Sequence, residues 1–122
     1  MTIIGTGIDI IEIDRIAQSI ERWGDSFLQH VFVEEEIAYA QRHKNAAQHF
    51  AARFAAKEAV YKALNDRTLG WKDIKILNGK NGQPYCQLQA NQKHPINIYI
   101  SLSHSKNHAI ANAIITNEPE RL

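Results

Sequence analysis

The chain of 122 residues has one cysteine, Cys86, one methionine and three prolines. A single cysteine excludes an intrachain disulfide and is compatible with a reducing compartment. No apolar run approaches the ~18 residues that cross a bilayer. No basic segment stands ahead of an apolar stretch at the N-terminus, as it would in a secretory leader. The expectation is a cytoplasmic protein without membrane association. Charge of one sign is not in excess either: 14 Lys and Arg against 13 Asp and Glu give a formal net charge of +1. That argues against bulk nucleic-acid binding, although a local basic face remains open. There is no internal repeat, no low-complexity segment and no linker rich in Pro or Ser. The expectation is therefore one domain spanning 1–122. The polar tail from Asn117 to Leu122 is expected to fray.

What the chain does have is a dense helical segment, Phe50-Ala51-Ala52-Arg53-Phe54-Ala55-Ala56-Lys57-Glu58-Ala59-Val60-Tyr61-Lys62-Ala63-Leu64. Small residues let such a helix pack closely on several sides. Arg53, Lys57, Glu58 and Lys62 nevertheless sit on it within three turns. Glu58 and Lys62 have the i, i+4 spacing of an ordinary surface ion pair, which stabilises a helix by about 0.3–0.5 kcal/mol. The alanines on one side, with Phe50, Phe54, Val60 and Leu64 over much of the rest, point the pair into a cleft instead. Arg53 and Lys57 share the spacing but are alike in charge, which is unfavourable unless an anion lies between them.

Around this helix the pattern alternates between two periods. Ile3 to Ile11 is rich in β-branched residues and predicts a strand. Ile13, Ile16, Ala17 and Ile20 recur at helical spacing, with Asp14 a candidate cap and Gly24 a stop. Arg15, Gln18, Ser19 and Arg22 occupy the opposite face, where isolated charges are ordinarily just solvated. Phe27 to Phe32 is short and apolar. Glu34, Glu35 and Glu36 open a further helix, where carboxylates meet the positive end of the dipole; helix capping explains them better than a metal site. After Leu64, strands are expected over Ile74–Leu77, Pro84–Leu88, Ile96–Ser103 and Ala109–Ile115, with turns at Asn78-Gly79 and Asn81-Gly82. The order predicts a small single α+β domain with a mostly antiparallel sheet packed on the long Ala-rich helix. Strand edges in so small a domain need cover, and self-association is one way to provide it.

Asp9, flanked by isoleucines within a strand, is costly to bury unless it is paired or coordinates a cation; the alternative is that it points to solvent or caps the nearby helix. Two carboxylates, Asp9 and Glu58, with Lys and Arg nearby are the ingredients of Mg²⁺-assisted phosphate chemistry, because Mg²⁺ takes one or two carboxylates and fills its remaining positions with water and phosphate oxygens. A Mg²⁺-dependent nuclease uses the same ingredients, but it expects an acid two residues before a lysine on one strand. Here acid and lysine stand four apart on a helix. Ser101-Leu102-Ser103-His104-Ser105 lacks the glycine frame of a nucleophile elbow. His104 and His108 have no third ligand nearby for zinc. Gly5-Thr6-Gly7 is too short for a dinucleotide fingerprint.

The stretch from Gly7 to Arg15, the 50–64 helix, Phe27 through Phe32 with Glu34 to Tyr39, Trp71 to Ile76, Gly82-Gln83-Pro84-Tyr85 and Ser101 to Ser105 together resemble the holo-[acyl-carrier-protein] synthases of the 4'-phosphopantetheinyl transferase family, in order and spacing over nearly the whole chain. The resemblance implies transfer of the phosphopantetheine arm of coenzyme A to a serine of apo-acyl carrier protein, with adenosine 3',5'-bisphosphate as the other product. It also implies Mg²⁺ and a homotrimer with active sites between subunits. On that resemblance Asp9 and Glu58 correspond to the magnesium carboxylates. Glu58 and Lys62 are the catalytic pair, Arg53, Lys57 and His104 are coenzyme A contacts, and Arg15 and Arg22 dock the carrier protein. A module that binds carrier protein or nucleotide without turnover is the non-enzymatic alternative. The chain departs from the family at Asn65-Asp66-Arg67-Thr68-Leu69-Gly70, where a Gly-Thr-Gly run is common, and at Val33, where a threonine cap is common. Loss of a hydroxyl cap typically costs ~1 kcal/mol.

Overall fold

The computed structural model describes residues 1–89 and 94–118. The order is β1 (Ile3–Glu12), α1 (Ile13–Trp23), α2 (Asp25–Val31), α3 (Glu34–Gln41), α4 (Ala46–Leu64), a 3₁₀ turn at Trp71–Asp73, β2 (Ile74–Asn78), β3 (Pro84–Leu88), β4 (Ile96–His104) and β5 (His108–Asn117). The α+β class matches the expectation, and all described strand pairs are antiparallel. The strands form two sheets, a three-stranded one ordered β1-β5-β4 and the β2-β3 hairpin. The end of the tail, for which fraying is expected, lies outside the described residues.

One local expectation is corrected, and one segment that the sequence leaves without an assignment takes its place in the fold. Asp14 does not cap α1: the helix starts at Ile13, and Asp14 accepts a hydrogen bond from Gln18 Nε2 at 2.8 Å within it. Phe27–Phe32, legible only as apolar, is mostly the helix α2; seven residues are too few for a clear period. Gly24 ends α1 as expected. Its φ of +55° reverses the chain into α2, while its N–H bonds Ile20 O at 2.7 Å, a turn that glycine makes without a Cβ penalty.

α4 lies across the three-stranded sheet, and both surfaces are made of small residues. Ala55, Ala56 and Ala59 on the helix, and Ala109, Ala111 and Ala113 on β5, are essentially inaccessible. On β1 the helix comes closer still. A Cβ placed on Gly5 would lie 2.1 Å from Ala63 O, and one on Gly7 would lie 2.0 Å from Ala59 O. The Gly5-Thr6-Gly7 run is therefore the seat of a helix backbone. Toward the start of α4 the packing turns aromatic. Phe32 meets Phe50 at 5.0 Å between centroids and Phe27 at 6.3 Å, and Ile16, Leu28 and Val31 complete that cluster. Each such side chain contributes about 1.5–3 kcal/mol on burial.

Among the described residues nothing covers the other face of the three-stranded sheet. Ile4, Ile8 and Ile10 remain 55%, 61% and 62% exposed and Tyr99 50%. Cross-strand register sets Ile10 opposite Ile110 and Tyr99 opposite Ile114 on this face, so the patch is continuous.

Candidate active site

The alternation of β1 that turns Ile8 and Ile10 outward turns Asp9 toward α4. Lys62 reaches across from the helix. Its Nζ lies 3.1 Å from Asp9 Oδ1 and donates to Ile8 O at 3.0 Å. Lys62 thus bridges to β1 rather than closing a helical pair with Glu58. One turn earlier, Glu58 is half-buried beside Asp9. Burial pushes its carboxyl above the usual carboxylate range, the Asp9 charge pushes the same way, and Lys62 opposes both. Two carboxylates and one ammonium therefore meet where β1 crosses α4.

A cavity of about 460 Å³ opens on this point, and Asp9, Glu58, Arg15, Phe27, Phe54 and His108 are among its walls. Arg15, from the exposed face of α1, stands in the same cavity as the carboxylates. Arg22 does not: it lies at the end of α1, its guanidinium 4.8 Å from the exposed Trp23 ring. Glu58 also borders a smaller cavity of about 230 Å³ with Tyr61, Leu69 and Trp71. The divergent Asn65–Gly70 loop supplies part of that wall.

The donor set suits a hard divalent cation. Burial first and then the Asp9 charge raise the cost of ionising Glu58, and a cation between the two carboxylates offsets that cost. No group of three or more His, Cys, Asp or Glu that would make a dedicated metal cage occurs among the described residues. Two carboxylates with an open cavity leave positions for water and phosphate oxygens, as Mg²⁺ prefers.

The expectation for Lys57 is corrected. Lys57 is 1% exposed. Its Nζ lies 2.9 Å from Glu36 Oε1 and donates to Trp71 O at 3.0 Å and Ile74 O at 2.5 Å. All three ammonium donors are used, so none is free for a phosphate. Burial lowers the Lys57 pKa, and Glu36 counteracts that. Glu36 in turn accepts from Val33 N and Ile76 N, each at 2.8 Å. The capping expected of the acidic triplet is thus real for Glu36, which also binds α3 to α4 and β2. Val33 contributes no side-chain cap.

Arg53 is also interior, 3% exposed. Its guanidinium lies 4.1 Å from the Tyr39 ring and bonds Asn78 Oδ1 and His49 O, while Nε has no acceptor. A phosphate shared between Arg53 and Lys57 therefore does not fit. His104, at the end of β4, meets Gln48 Nε2 at 3.0 Å in the first turn of α4. Ten residues, about 15 Å of helix axis, separate Gln48 from Glu58. Within one chain the structure brings together Asp9, Glu58, Lys62 and Arg15 and holds His104 apart.

Sequence reasoning missed the seat at Gly5 and Gly7 and the Glu36–Lys57 pair. Small residues spaced by two on a strand, facing Ala59 and Ala63 spaced by four on a helix, were the available signal for the first. The second joins residues from separate helices, and no local pattern marks it.

Residues 5–113 match the 4'-phosphopantetheinyl transferase superfamily. The holo-[acyl-carrier-protein] synthase of Thermodesulfovibrio yellowstonii is 44% identical over 113 residues, covering 92% of this chain and 97% of that protein. That of Protochlamydia amoebophila is 43% identical over 121 residues, covering 91% and 96%. Among solved structures, a holo-(acyl-carrier-protein) synthase from Bacillus anthracis in complex with CoA (3',5'-ADP) superposes with a TM-score of 0.84 at 30% identity, covering 97% of this chain and all of that one. The Helicobacter pylori holo-[acyl-carrier-protein] synthase in complex with coenzyme A gives 0.80 at 29%, covering 91% and 99%. With its strand-to-helix carboxylate site and this match over most of its length, the chain belongs to the 4'-phosphopantetheinyl transferase superfamily.

Proposed function

We propose that the chain is a holo-[acyl-carrier-protein] synthase, which transfers 4'-phosphopantetheine from coenzyme A to a serine of apo-acyl carrier protein and releases adenosine 3',5'-bisphosphate. The observation that carries this reading is that Asp9 and Glu58 line one cavity together with Arg15, with Lys62 ion-paired to Asp9 beside it.

The serine oxygen forms a bond to the phosphorus next to pantetheine as the pyrophosphate P–O bond breaks, and the serine gives up its proton. Mg²⁺, held by Asp9 and Glu58, would supply charge neutralisation for the pyrophosphate. Lys62, anchored by Asp9 and Ile8 O, places its ammonium where charge builds on the phosphates. Glu58, whose affinity for a proton is raised by burial and by Asp9, is suited to receive the serine proton directly or through water. Arg15 and Arg22 lie on the exposed face of α1, where an acidic carrier surface would meet them.

The uncovered face of Ile4, Ile8, Ile10 and Tyr99 supports assembly into the homotrimer that the resemblance implies. So does the separation of His104 from Glu58: a neighbouring subunit's His104 is then the one that completes each site.

Incubating the protein with coenzyme A, Mg²⁺ and an apo-acyl carrier protein is expected to add the phosphopantetheine mass to the carrier, read by mass spectrometry. No increment with several different carriers would reject the reading.

A further inference from the structure

Arg53, Lys57 and Lys62 all stand on α4, but what holds them differs. Arg53 and Lys57 are interior. Lys57 spends every donor on Glu36, Trp71 O and Ile74 O. Exchanging those partners would strand a charge in the core, which is expensive. Lys62 is held from another element, by Asp9 Oδ1 at 3.1 Å and Ile8 O at 3.0 Å on β1. An ammonium has three donors, and the third meets no protein acceptor among the described residues. The Lys62 side chain is also 51% exposed. Water replaces whichever bond it gives up, so a change of partner costs little.

Asp9 is less exposed, at 17%, and it faces two ways. It lines the 460 Å³ cavity with Glu58 and Arg15. Lys62 is not a wall of that cavity; with Thr6, Ile8 and Asn112 it borders another of about 510 Å³. The ammonium therefore reaches Asp9 from beside the cavity, while a divalent cation would reach it from within. Both draw on one carboxylate, and their like charges repel. The ammonium also acts on Glu58, where it opposes the upward push of burial and of Asp9 on the carboxyl. Lys62 thus already offsets part of the charge that a divalent cation would neutralise.

We propose that Lys62 competes with a divalent cation for Asp9, and that a phosphate-bearing ligand ends the competition by drawing the ammonium to itself. Cation and phosphate ligand then strengthen each other's binding by the same factor, as linkage requires. Lys62 is in this sense the residue that couples the two sites, in addition to any charge it offsets during transfer. With coenzyme A as the ligand the coupling rests on the transferase reading. The competition for Asp9 does not.

Calorimetry with Mg²⁺ on the full chain, without carrier protein so that nothing turns over, reads the competition directly. Lys62→Met keeps an aliphatic stem and is expected to fold, since a half-exposed ion pair contributes little to stability. Without coenzyme A the variant should bind Mg²⁺ about two- to fivefold more tightly than the wild type, on the scale of such a pair. With coenzyme A at saturation, and the heat of Mg²⁺ with coenzyme A alone subtracted, that advantage should vanish. No advantage without coenzyme A, or an undiminished one with it, would overturn the proposal. NMR of the wild type tests it without substitution. The ¹³C signal of the Lys62 ε-carbon should move when Mg²⁺ is added alone, and an unchanged signal at saturating Mg²⁺ would overturn it. Carrier modification together with an undiminished advantage rejects this proposal alone. A vanishing advantage without carrier modification rejects the transferase reading alone.

Discussion

Gly7 of β1 lies directly against the carbonyl of Ala59 of α4, with no room for a methyl group between them: a Cβ there would stand 2.0 Å from the oxygen. Asp9 follows two residues later on the same face, and Glu58 precedes Ala59. The distance between the two carboxylates is therefore set by a backbone contact.

Gly7→Ala should force β1 away from α4. Overpacking of this kind costs about 1–3 kcal/mol or more, to be read from urea unfolding, and transfer activity should fall with it because Asp9 moves. Gly79→Ala is the control. Its nearest neighbour would be Gln83 O at an ordinary 3.7 Å, so stability should stay within about 0.5 kcal/mol.

Glu58→Gln should separate stability from activity. In the folded chain the Glu58 carboxyl sits above the usual carboxylate range, first because of burial and then because of Asp9. The folded state therefore holds this proton at pH values where the unfolded chain has lost it. Stability falls as pH rises through that window, and the charged group remains a cost at pH 7.5. The neutral amide should raise Tm at pH 7.5 and abolish transfer. Mg²⁺ should raise the Tm of the wild type and have little effect on the variant. A variant with full turnover, or a Tm below wild type at pH 7.5, would count against this placement.

Lys57→Met should destabilise by about 3–5 kcal/mol, because it leaves the Glu36 carboxylate buried without its partner. The double variant Glu36→Leu, Lys57→Met should recover part of that loss in chemical denaturation. Recovery will be incomplete, since Ile76 N and Val33 N lose the oxygens that accept from them. If Lys57 instead met phosphate, the single variant would lose substrate affinity with stability unchanged.

Ile10→Lys should lower the assembly state measured by sedimentation velocity while far-UV circular dichroism is retained. The residue is 62% exposed in the single chain, so the fold gains little from it. A charge at the centre of an assembled apolar face is expensive. Transfer activity should drop with dissociation if His104 is supplied across the interface.

Cys86 should resist thiol reagents at pH 8. Burial pushes its thiol up to about 12, and the thiolate is the reactive form. Rapid labelling of the native protein would contradict the packing of Cys86, on β3, against the core cluster that contains Val60 and Ile76.

Much of the architecture was legible because it is written in local periods. The β-branched run of β1, the stop at Gly24, the long alanine helix and the four C-terminal strands are patterns within a few turns or pairs of residues. Asp9, Glu58 and Lys62 stood out by the same route, as charges where the pattern called for apolar or small side chains. What no local pattern carried were relations between distant segments. Arg53 and Lys57 looked like a free basic pair on one helix. Only packing showed that Glu36, twenty-one residues earlier, occupies the Lys57 ammonium, and that Tyr39 and Asn78 enclose the Arg53 guanidinium. The same holds for His43 and His49, which the turn into α4 folds face to face. Side-chain type and spacing were enough for most of the elements, the α+β class, the family and the choice of Asp9 and Glu58 as candidate carboxylates, since these are local properties of the chain. The tertiary structure alone decided which cations remain available, how closely β1 approaches α4 and which sheet face is left uncovered, because burial and hydrogen-bond pairing are settled only when residues far apart in the chain compete for the same space.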